Sequence, residues 1–566
     1  MILTSIVDIA SICAKKGIKE AILSPGSRCA PITLAFVRHP EIHCRVIPDE
    51  RSAAFVALGM AQQLGKPVAL VCTSGSAALN YAPAVAEAFF QHIPLLLFTA
   101  DRPPEWIDQW DGQTIRQEGL YGKHVKGSYT FPDLAAHPDK EWHGHRMINE
   151  AINLSMDFPQ GPVHVNVPIR EPFYPSQLES MDFDKDLKIF NLIQGQKLLN
   201  QDEEVKLGNK LKSFNKVLIL PGQQRPSASI REALVKLSKS QQAVVIGEAI
   251  GNQFHAHTIR HHDLILNGLP DTTPLLPDLV ISFGKSILSK GLKNWLRASK
   301  ASHWHLQEGT QVPDTFQHLE KIIAVTPAHF LQFLTQNLDK APADFYHTWW
   351  QAEKEVSQNL PSLMDNMEFG EMKTVHRLME FIPTPSKLHV ANSMPVRYVS
   401  YLGNLPTGVE VIANRGTSGI DGSNSTAVGC VFTTKEPVTL LTGDMAFFYD
   451  RNAFWHQYNL PNLRIVVLNN HAGGIFRMID GPAQLPELEE YFETTQSLVA
   501  GHLAGEFGFE YHRVAKEEEL AELLPTFYKK SIRPKVLEVI SKSKINAEVF
   551  KRVKAEVKSK LVEFSR

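Results

Sequence analysis

The sequence predicts an α/β protein of three domains, each with a mostly parallel sheet flanked by helices. Three observations carry that expectation. Short apolar runs alternate with helical stretches along most of the chain, the pattern of strand–helix–strand units. The runs VALVC (68–72) and PLLLF (94–98) show no polar alternation, as strands covered on both faces do. The length, 566 residues, suits about three domains of ~150–200 residues each.

The first domain is expected over 1–180. Its opening, MILTSIVDIASICAKK, has no basic leader and reads as an amphipathic helix rather than a signal peptide. Strands follow at Glu20–Leu23, Cys44–Pro48, Val68–Cys72, Leu95–Thr99 and Val163–Val167, with helices such as Ser52–Leu64 and Ala77–Phe90 between them. The Pro-rich, charged stretch PIREPFYPSQLESMDFDKD (168–186) reads as a linker. The second domain, 195–345, has strand candidates at Val217–Leu220, Ala243–Ile246, Leu279–Phe283 and Ile322–Val325. A charged, Trp-bearing helix around His347–Glu355 leads to the third domain, 360–566. Its strands are expected at Leu388–Val390, Glu410–Ala413 and Lys535–Ile540, with more in the segment 438–476. No residue-level repeat relates the three units.

Composition narrows the function. Hydrophobic content of 43% and charged content of 21% are ordinary for a globular protein. A net charge of −2 offers no basic field for nucleic acid or an anionic membrane. No run of 18 or more apolar residues occurs, so no membrane span is expected. The five cysteines are scattered without a Cys-x-x-Cys pair, which argues against a zinc knuckle and for a reducing, cytoplasmic location.

Common nucleotide signatures are missing. There is no G-x-G-x-x-G, and GMAQQLGKP has five residues between its glycines and Pro after Lys, unlike a P-loop. FGKS lacks the upstream glycine. The histidines of FHAHTIRHHD follow no metal-ligand spacing and read as a solvated loop or helix end.

The segment VTLLTGDMAFFYDRNAFWHQYNLPNLRIVVLNNHAGGIF (438–476) is more informative. It reads strand, Gly-Asp turn, helix, strand, Asn-Asn turn. A right-handed crossover puts its two parallel strands side by side, so Asp444 and Asn469–Asn470 meet at one carboxyl edge. Ligands of open α/β sheets bind at that edge. A carboxylate with a side-chain amide suits Mg²⁺, which keeps positions for water and phosphate. The glycines of HAGG let backbone approach a ligand closely.

Other residues stand at comparable strand ends. Glu50 in PDER follows the strand CRVIP and opens a helix, while the turn CTSGSAALN ends the next strand. Arg28 in SPGSR, Arg102 in TADRPPE, Arg397 in ANSMPVR and Arg415 in ANRGTSGIDG repeat the pattern. Four guanidiniums at ligand-facing edges suggest carboxylate or phosphate recognition.

Together these pieces resemble the thiamine diphosphate-dependent enzyme superfamily. Its metal–diphosphate motif is GDG, about 25 residues, NN; here it reads GDM, 23 residues, NN. Within that superfamily SPGSR, PDERSAAFVALGMA, TSGSAALN, TADRPPE, GQTIRQ, NSMPVR, NRGTSGIDGSNSTAVG and NNHAGGIF are similar to the menaquinone-pathway carboligases. The resemblance implies thiamine diphosphate-binding folds in the first and third domains around a central one. It implies decarboxylation of 2-oxoglutarate and addition of the succinyl semialdehyde unit to isochorismate.

The resemblance also assigns residues. Glu50 would hydrogen-bond the pyrimidine ring of the cofactor and favour the tautomer that takes a proton from the thiazolium carbon. Ile420 would prop the cofactor bent, with Ser418 beside it. Asp444, Asn470 and the carbonyl of Ala472 would hold Mg²⁺, or Mn²⁺ in its place, with Asn469 the alternative amide. Gly443, Met445 and Ala446 would support the diphosphate. Ser393, Arg397 and Arg415 would face 2-oxoglutarate. Ser27, Arg28, Arg102, Gln113 and Lys290 would face isochorismate, with Ile475 and Phe476 as an apolar wall. A self-associated protein is implied, a dimer or tetramer with sites between subunits. Gly112 before Gln113, Gly291 after Lys290, and HAGG depart from the commoner family pattern. Two other readings stand beside this one: a different thiamine diphosphate decarboxylase or acetolactate-type synthase, and an inactive α/β binding protein.

Overall fold

A computed structural model describes residues 4–132, 137–171, 173, 174, 181–479 and 481–564. The first three residues and part of the linker expected over 168–186 lie outside the described residues.

Three parallel sheets form the molecule. The first contains β1 (Glu20–Leu23), β2 (His43–Val46), β3 (Val68–Cys72), β4 (Leu95–Asp101), β5 (Ser128–Thr130) and β6 (Val163–Pro168), in the order β2-β1-β3-β4-β6-β5. The second contains β7 (Val217–Pro221), β8 (Val244–Val245), β9 (Leu279–Phe283), β10 (Ser302–Leu306) and β11 (Leu319–Ile323), in the order β11-β10-β9-β7-β8. The third contains β12 (Ser386–Val390), β13 (Val409–Ile412), β14 (Val438–Gly443), β15 (Leu463–Asn469), β16 (Glu510–Val514) and β17 (Lys535–Ile540), in the order β13-β12-β14-β15-β17-β16. The first and third sheets thus share one strand order, a topological repeat that no residue pattern reveals. In each, the chain reverses direction beside the first strand, which opens a crevice at the carboxyl edge.

The central strands β3, β4 and β15 are buried at every residue, because helices cover both faces. The helix Glu50–Leu64 begins at Asp49, whose side chain accepts from Ser52 N, and ends at Gly65 with φ 63°. It packs against the helix Ser423–Thr433 of the third domain. A Cβ on Gly59 would lie 2.1 Å from Thr426 O, and one on Gly429 would lie 2.0 Å from Val56 O. Only glycine permits so close an approach. One hydrophobic core therefore runs from Phe55 and Val56 of the first domain to Val428, Cys430 and Phe447 of the third.

Several expectations are corrected. The helix expected at Ala77–Phe90 is two, Ser76–Asn80 and Ala82–Gln91, broken at Tyr81 where Pro83 starts a new first turn. The strand expected at Ile322–Val325 lies earlier, at Leu319–Ile323, and Ala243–Ile246 shortens to Val244–Val245. Of the histidine cluster, His261 and His262 stand at the start of the helix His262–Gly268, the helix end expected, but they are buried rather than solvated. His261 is 5% exposed with its ring between Glu353 Oε1 (2.8 Å) and Leu402 O (3.0 Å), and His262 is fully buried. No helix of the described residues is long and apolar enough to cross a membrane.

Candidate active site

β14 and β15 run side by side in parallel, with Gly443 opposite Leu468. The residues after each strand, Asp444 and Asn469–Asn470, therefore leave one sheet edge together. Asp444 opens the short helix Asp444–Tyr449, with Met445 and Ala446 in its first turn. Its carboxylate is 2% exposed and accepts from Gln496 Nε2 at 2.7 Å. Burial pushes its pKa up from 3.8 to about 6 despite that bond and backbone donors. The same Gln496 amide reaches Asn469 Oδ1 at 3.3 Å, so one side chain joins the two strand ends.

The two asparagines differ in what they have left to offer. Asn469 is fully buried; its Nδ2 donates to Glu538 Oε1 (2.7 Å) and Leu498 O (3.1 Å), and its Oδ1 also accepts from His471 N (3.1 Å). Its hydrogen-bonding capacity is consumed within the fold. Asn470 is half-buried; its Nδ2 donates to Glu371 Oε1, and among the described residues its Oδ1 accepts only Ala472 N, at 2.9 Å. An acceptor position on that oxygen stays open.

A second group lies at the same edge. Ser393 follows β12 at φ 75°, and the helix Met394–Leu402 carries Arg397 one turn later. Arg397 Nη1 donates to Ser393 O at 2.5 Å. Arg415 follows β13 and donates from Nη1 to Asn392 Oδ1 at 2.8 Å, while its Nε is buried without a partner. Burial lowers the pKa of both guanidiniums, and for Arg415 the charge of Arg397 is the next cause. Two neighbouring, partly buried cations that repel one another make a cradle for an anion. The loop after Arg415 is held by Glu87 of the first domain, which accepts from Gly416 N (2.7 Å) and Thr417 N (2.6 Å). Ser418 at φ 64° and half-buried Ile420 sit in this loop.

The first sheet presents a separate edge. Glu50 is half-buried at the start of its helix, and burial raises its pKa, with Asp49 adding to the rise. Arg28 is 6% exposed, donates to Ile169 O at 2.6 Å and stacks 4.7 Å above the Phe173 ring; Ser27 before it is exposed. Arg102 follows β4 and pairs with Asp111 at 2.9 Å. Gln113, exposed at φ 57°, lies with its Cα 3.3 Å from where a Cβ on Gly75 would stand. Gln113, Ser393, Ser418 and His471 all hold positive φ without being glycine, the kind of backbone strain that gathers at functional sites.

Lys290 is exposed at the start of the helix Lys290–Ala298. Its loop is fixed by buried Glu248, which accepts from Leu288 N and Ser289 N, both at 2.7 Å. Ile475 and Phe476 begin the short helix Ile475–Met478, and the Phe476 ring packs 5.8 Å from that of Phe492. Among the described residues no hydrogen bond or ion pair joins Glu50 to Asp444 within the chain. Sequence reasoning missed Asp111, a partner within the Arg102 loop, and Glu371, Gln496, Glu87 and Glu248, which touch the motifs only through contacts between distant elements. Of these, Glu371 is 2% exposed and burial lifts its pKa from 4.5 to about 7.

The residues fit a metal-bound diphosphate carried by thiamine. Asp444 Oδ, Asn470 Oδ1 and the Ala472 carbonyl are oxygen donors of the kind Mg²⁺ takes. Nothing lies within 4 Å of where a Cβ on Gly443 would stand, so the turn is open toward a ligand. Among the described residues, Thr73 Oγ1, Ser74 Oγ and His471 Nδ1 are buried at these edges without a protein partner.

Comparison with known proteins identifies the three domains. Three family models match along the chain: the N-terminal TPP binding domain of thiamine pyrophosphate enzymes at 7–120, their middle domain at 215–390, and their C-terminal TPP binding domain at 401–539. A 2-succinyl-5-enolpyruvyl-6-hydroxy-3-cyclohexene-1-carboxylate synthase of Cytophaga hutchinsonii is 44% identical over 561 residues, 98% of this chain and 99% of that protein. Proteins of the same name from Porphyromonas gingivalis (38%, covering 95% of this chain and 94% of theirs) and Christiangramia forsetii (36%, covering 96% of each) are also similar. With three thiamine pyrophosphate domains in order and near-full-length likeness to these enzymes, the chain belongs to the 2-succinyl-5-enolpyruvyl-6-hydroxy-3-cyclohexene-1-carboxylate synthase family of thiamine pyrophosphate enzymes.

Proposed function

We propose that this protein removes CO₂ from 2-oxoglutarate and adds the remaining succinyl semialdehyde unit to isochorismate, in menaquinone biosynthesis in the cytoplasm. The observation that carries the reading is that Arg397 and Arg415, whose charges act on one another, stand at the same sheet edge as Asp444 and Asn470. Two adjacent guanidiniums suit a substrate with two carboxylates better than pyruvate, which has one.

Asp444, Asn470 and the Ala472 carbonyl hold a divalent metal, Mg²⁺ or Mn²⁺, and Gly443, Met445 and Ala446 line the diphosphate. Thiamine diphosphate, when bound, supplies the carbon nucleophile and the electron sink for decarboxylation. Glu50 holds a proton at its carboxyl and offers it to the pyrimidine ring; its raised pKa supports that role. Ile420 props the cofactor, and Ser418 binds it. Arg397, Arg415 and Ser393 orient 2-oxoglutarate, while Ser27, Arg28, Arg102, Gln113 and Lys290 receive isochorismate. Ile475 and Phe476 keep water from the reacting carbon.

The two sheet edges belong to one site built from two chains, Glu50 from one and Asp444 from its partner. Supporting this, among the described residues no hydrogen bond or ion pair joins the two groups within the chain, and the facing helices of the first and third domains are already packed together. Turnover of 2-oxoglutarate against pyruvate tests the substrate; a preference for pyruvate refutes it. Co-expression of Glu50→Gln and Asp444→Asn subunits tests the shared site. Activity recovered in the mixture supports it, and no recovery in mixed oligomers contradicts it.

A further inference from the structure

Asn470 can ligate a metal only if its amide oxygen, rather than the similarly sized NH₂, faces the metal. Something in the fold must decide which end points where. The helix Glu371–Met379 supplies the candidate, 99 residues earlier in the chain.

Glu371 is buried at the start of that helix, its own N–H bonded to Asn546 Oδ1 at 3.1 Å. Tyr398 donates its hydroxyl to Glu371 Oε2 at 2.9 Å, which leaves Oε1 as the acceptor facing Asn470. Asn470 Nδ2 donates to that oxygen at 2.5 Å. A carboxylate oxygen rejects the amide oxygen and attracts the amide nitrogen, so the NH₂ end is fixed there. The Oδ1 end then turns to Ala472, accepting its N–H at 2.9 Å. Gly474 keeps the nitrogen's place clear, since a Cβ there would stand 2.8 Å from Nδ2. Tyr398 is the neighbour of Arg397 on the helix Met394–Leu402, so the chain of bonds starts one residue from the anion cradle.

We infer that Glu371 is a positioning residue that sets the amide of Asn470 with its oxygen toward the metal. This rests on the reading above that Asp444, Asn470 and Ala472 form the metal site. Outer carboxylates of this kind support metal affinity by about 10–100-fold.

The test is Mn²⁺ affinity of the full-length protein with thiamine diphosphate, followed by the electron paramagnetic resonance signal of the free ion. Glu371→Met is expected to raise the Kd by about 10–100-fold, and Glu371→Gln, which keeps an oxygen toward the amide, by clearly less. In an Asn470→Ala background, with no amide to orient, Glu371→Met adds nothing further. A Kd for Glu371→Met within about twofold of wild type overturns the inference. So does an equal loss with and without Asn470, which would mark a merely structural role. Should Glu371→Met fail to fold by circular dichroism, Glu371→Ala carries the same cycle, and absence of coupling to Asn470 overturns the inference. Asp444→Asn separates the two failures: if it binds Mn²⁺ as wild type does, the metal-site reading itself is wrong and the inference falls with it.

Discussion

The Asp111 carboxylate lies 2.9 Å from the Arg102 guanidinium, and Gly112 O accepts from the same side chain at 2.7 Å. Both Nη atoms of Arg102 are thus held by its own loop, while its Nε is buried without a partner among the described residues. A substrate carboxylate that binds at Nη1 must displace Asp111. Replacing Asp111 by Asn is expected to lower the KM for isochorismate by about twofold to fivefold, the scale of a part-exposed ion pair, and to leave that for 2-oxoglutarate unchanged. Steady-state kinetics with each substrate varied in turn checks it. A raised isochorismate KM would mean that Asp111 supports the binding loop instead of competing.

Arg397 and Arg415 make the complementary case. Their mutual repulsion is relieved when an anion arrives. Arg415→Ala removes a charged hydrogen-bond partner worth about 1.5–3 kcal/mol, so the KM for 2-oxoglutarate should rise about 10–100-fold. Binding of thiamine diphosphate, read by fluorescence titration, should change little. An unchanged KM would take Arg415 out of substrate recognition.

The junction of the first and third domains is predicted to tolerate no side chain at Gly59 or Gly429. A Cβ at Gly429 would stand 2.0 Å from Val56 O, and the helices can make room only by separating. Gly429→Val should destabilise the protein by about 1–3 kcal/mol or more and lower the Tm in calorimetry. An unaltered Tm would show that this packing is slack.

Acid should weaken the central sheet through its buried imidazoles. His305 on β10 shares Ser282 Oγ at 2.8 Å, and burial lowers its pKa from 6.5 to about 4. As pH falls from 6.5, the unfolded imidazole gains a proton that the folded one refuses, so stability is lost until about pH 4. The wild type should therefore lose about 1–2 kcal/mol more stability between pH 7 and 5 than His305→Gln does. Denaturant melts of both proteins at the two pH values check this; parallel losses would contradict it.

The fold was legible where burial acts on both faces. Val68–Cys72 is a continuous apolar run, Leu279–Phe283 is broken only by Ser282 and Lys535–Ile540 only by Lys535 and Glu538, and all three lie where the sequence places them. β10 escaped because SHWHL looks polar; its two histidines are buried and share Ser282 Oγ. β5 and β16 escaped because they are edge strands, GSYT being short and EYHRV charged. The site divides in the same way. Asp444, Asn470 and the arginines follow strands, so the topology alone brings them to an edge. Glu371, Gln496 and Glu248 arrive through contacts between distant elements, and nothing in their local sequence marks them.

The most direct measurement is product formation from 2-oxoglutarate and isochorismate, with thiamine diphosphate and Mg²⁺ each supplied or withheld after chelation. The account predicts release of CO₂ and the succinylated cyclohexene carboxylate only when both are present, and loss of at least ~10² in turnover with Glu50→Gln. Product formed without thiamine diphosphate, or turnover unchanged in Glu50→Gln, would contradict it.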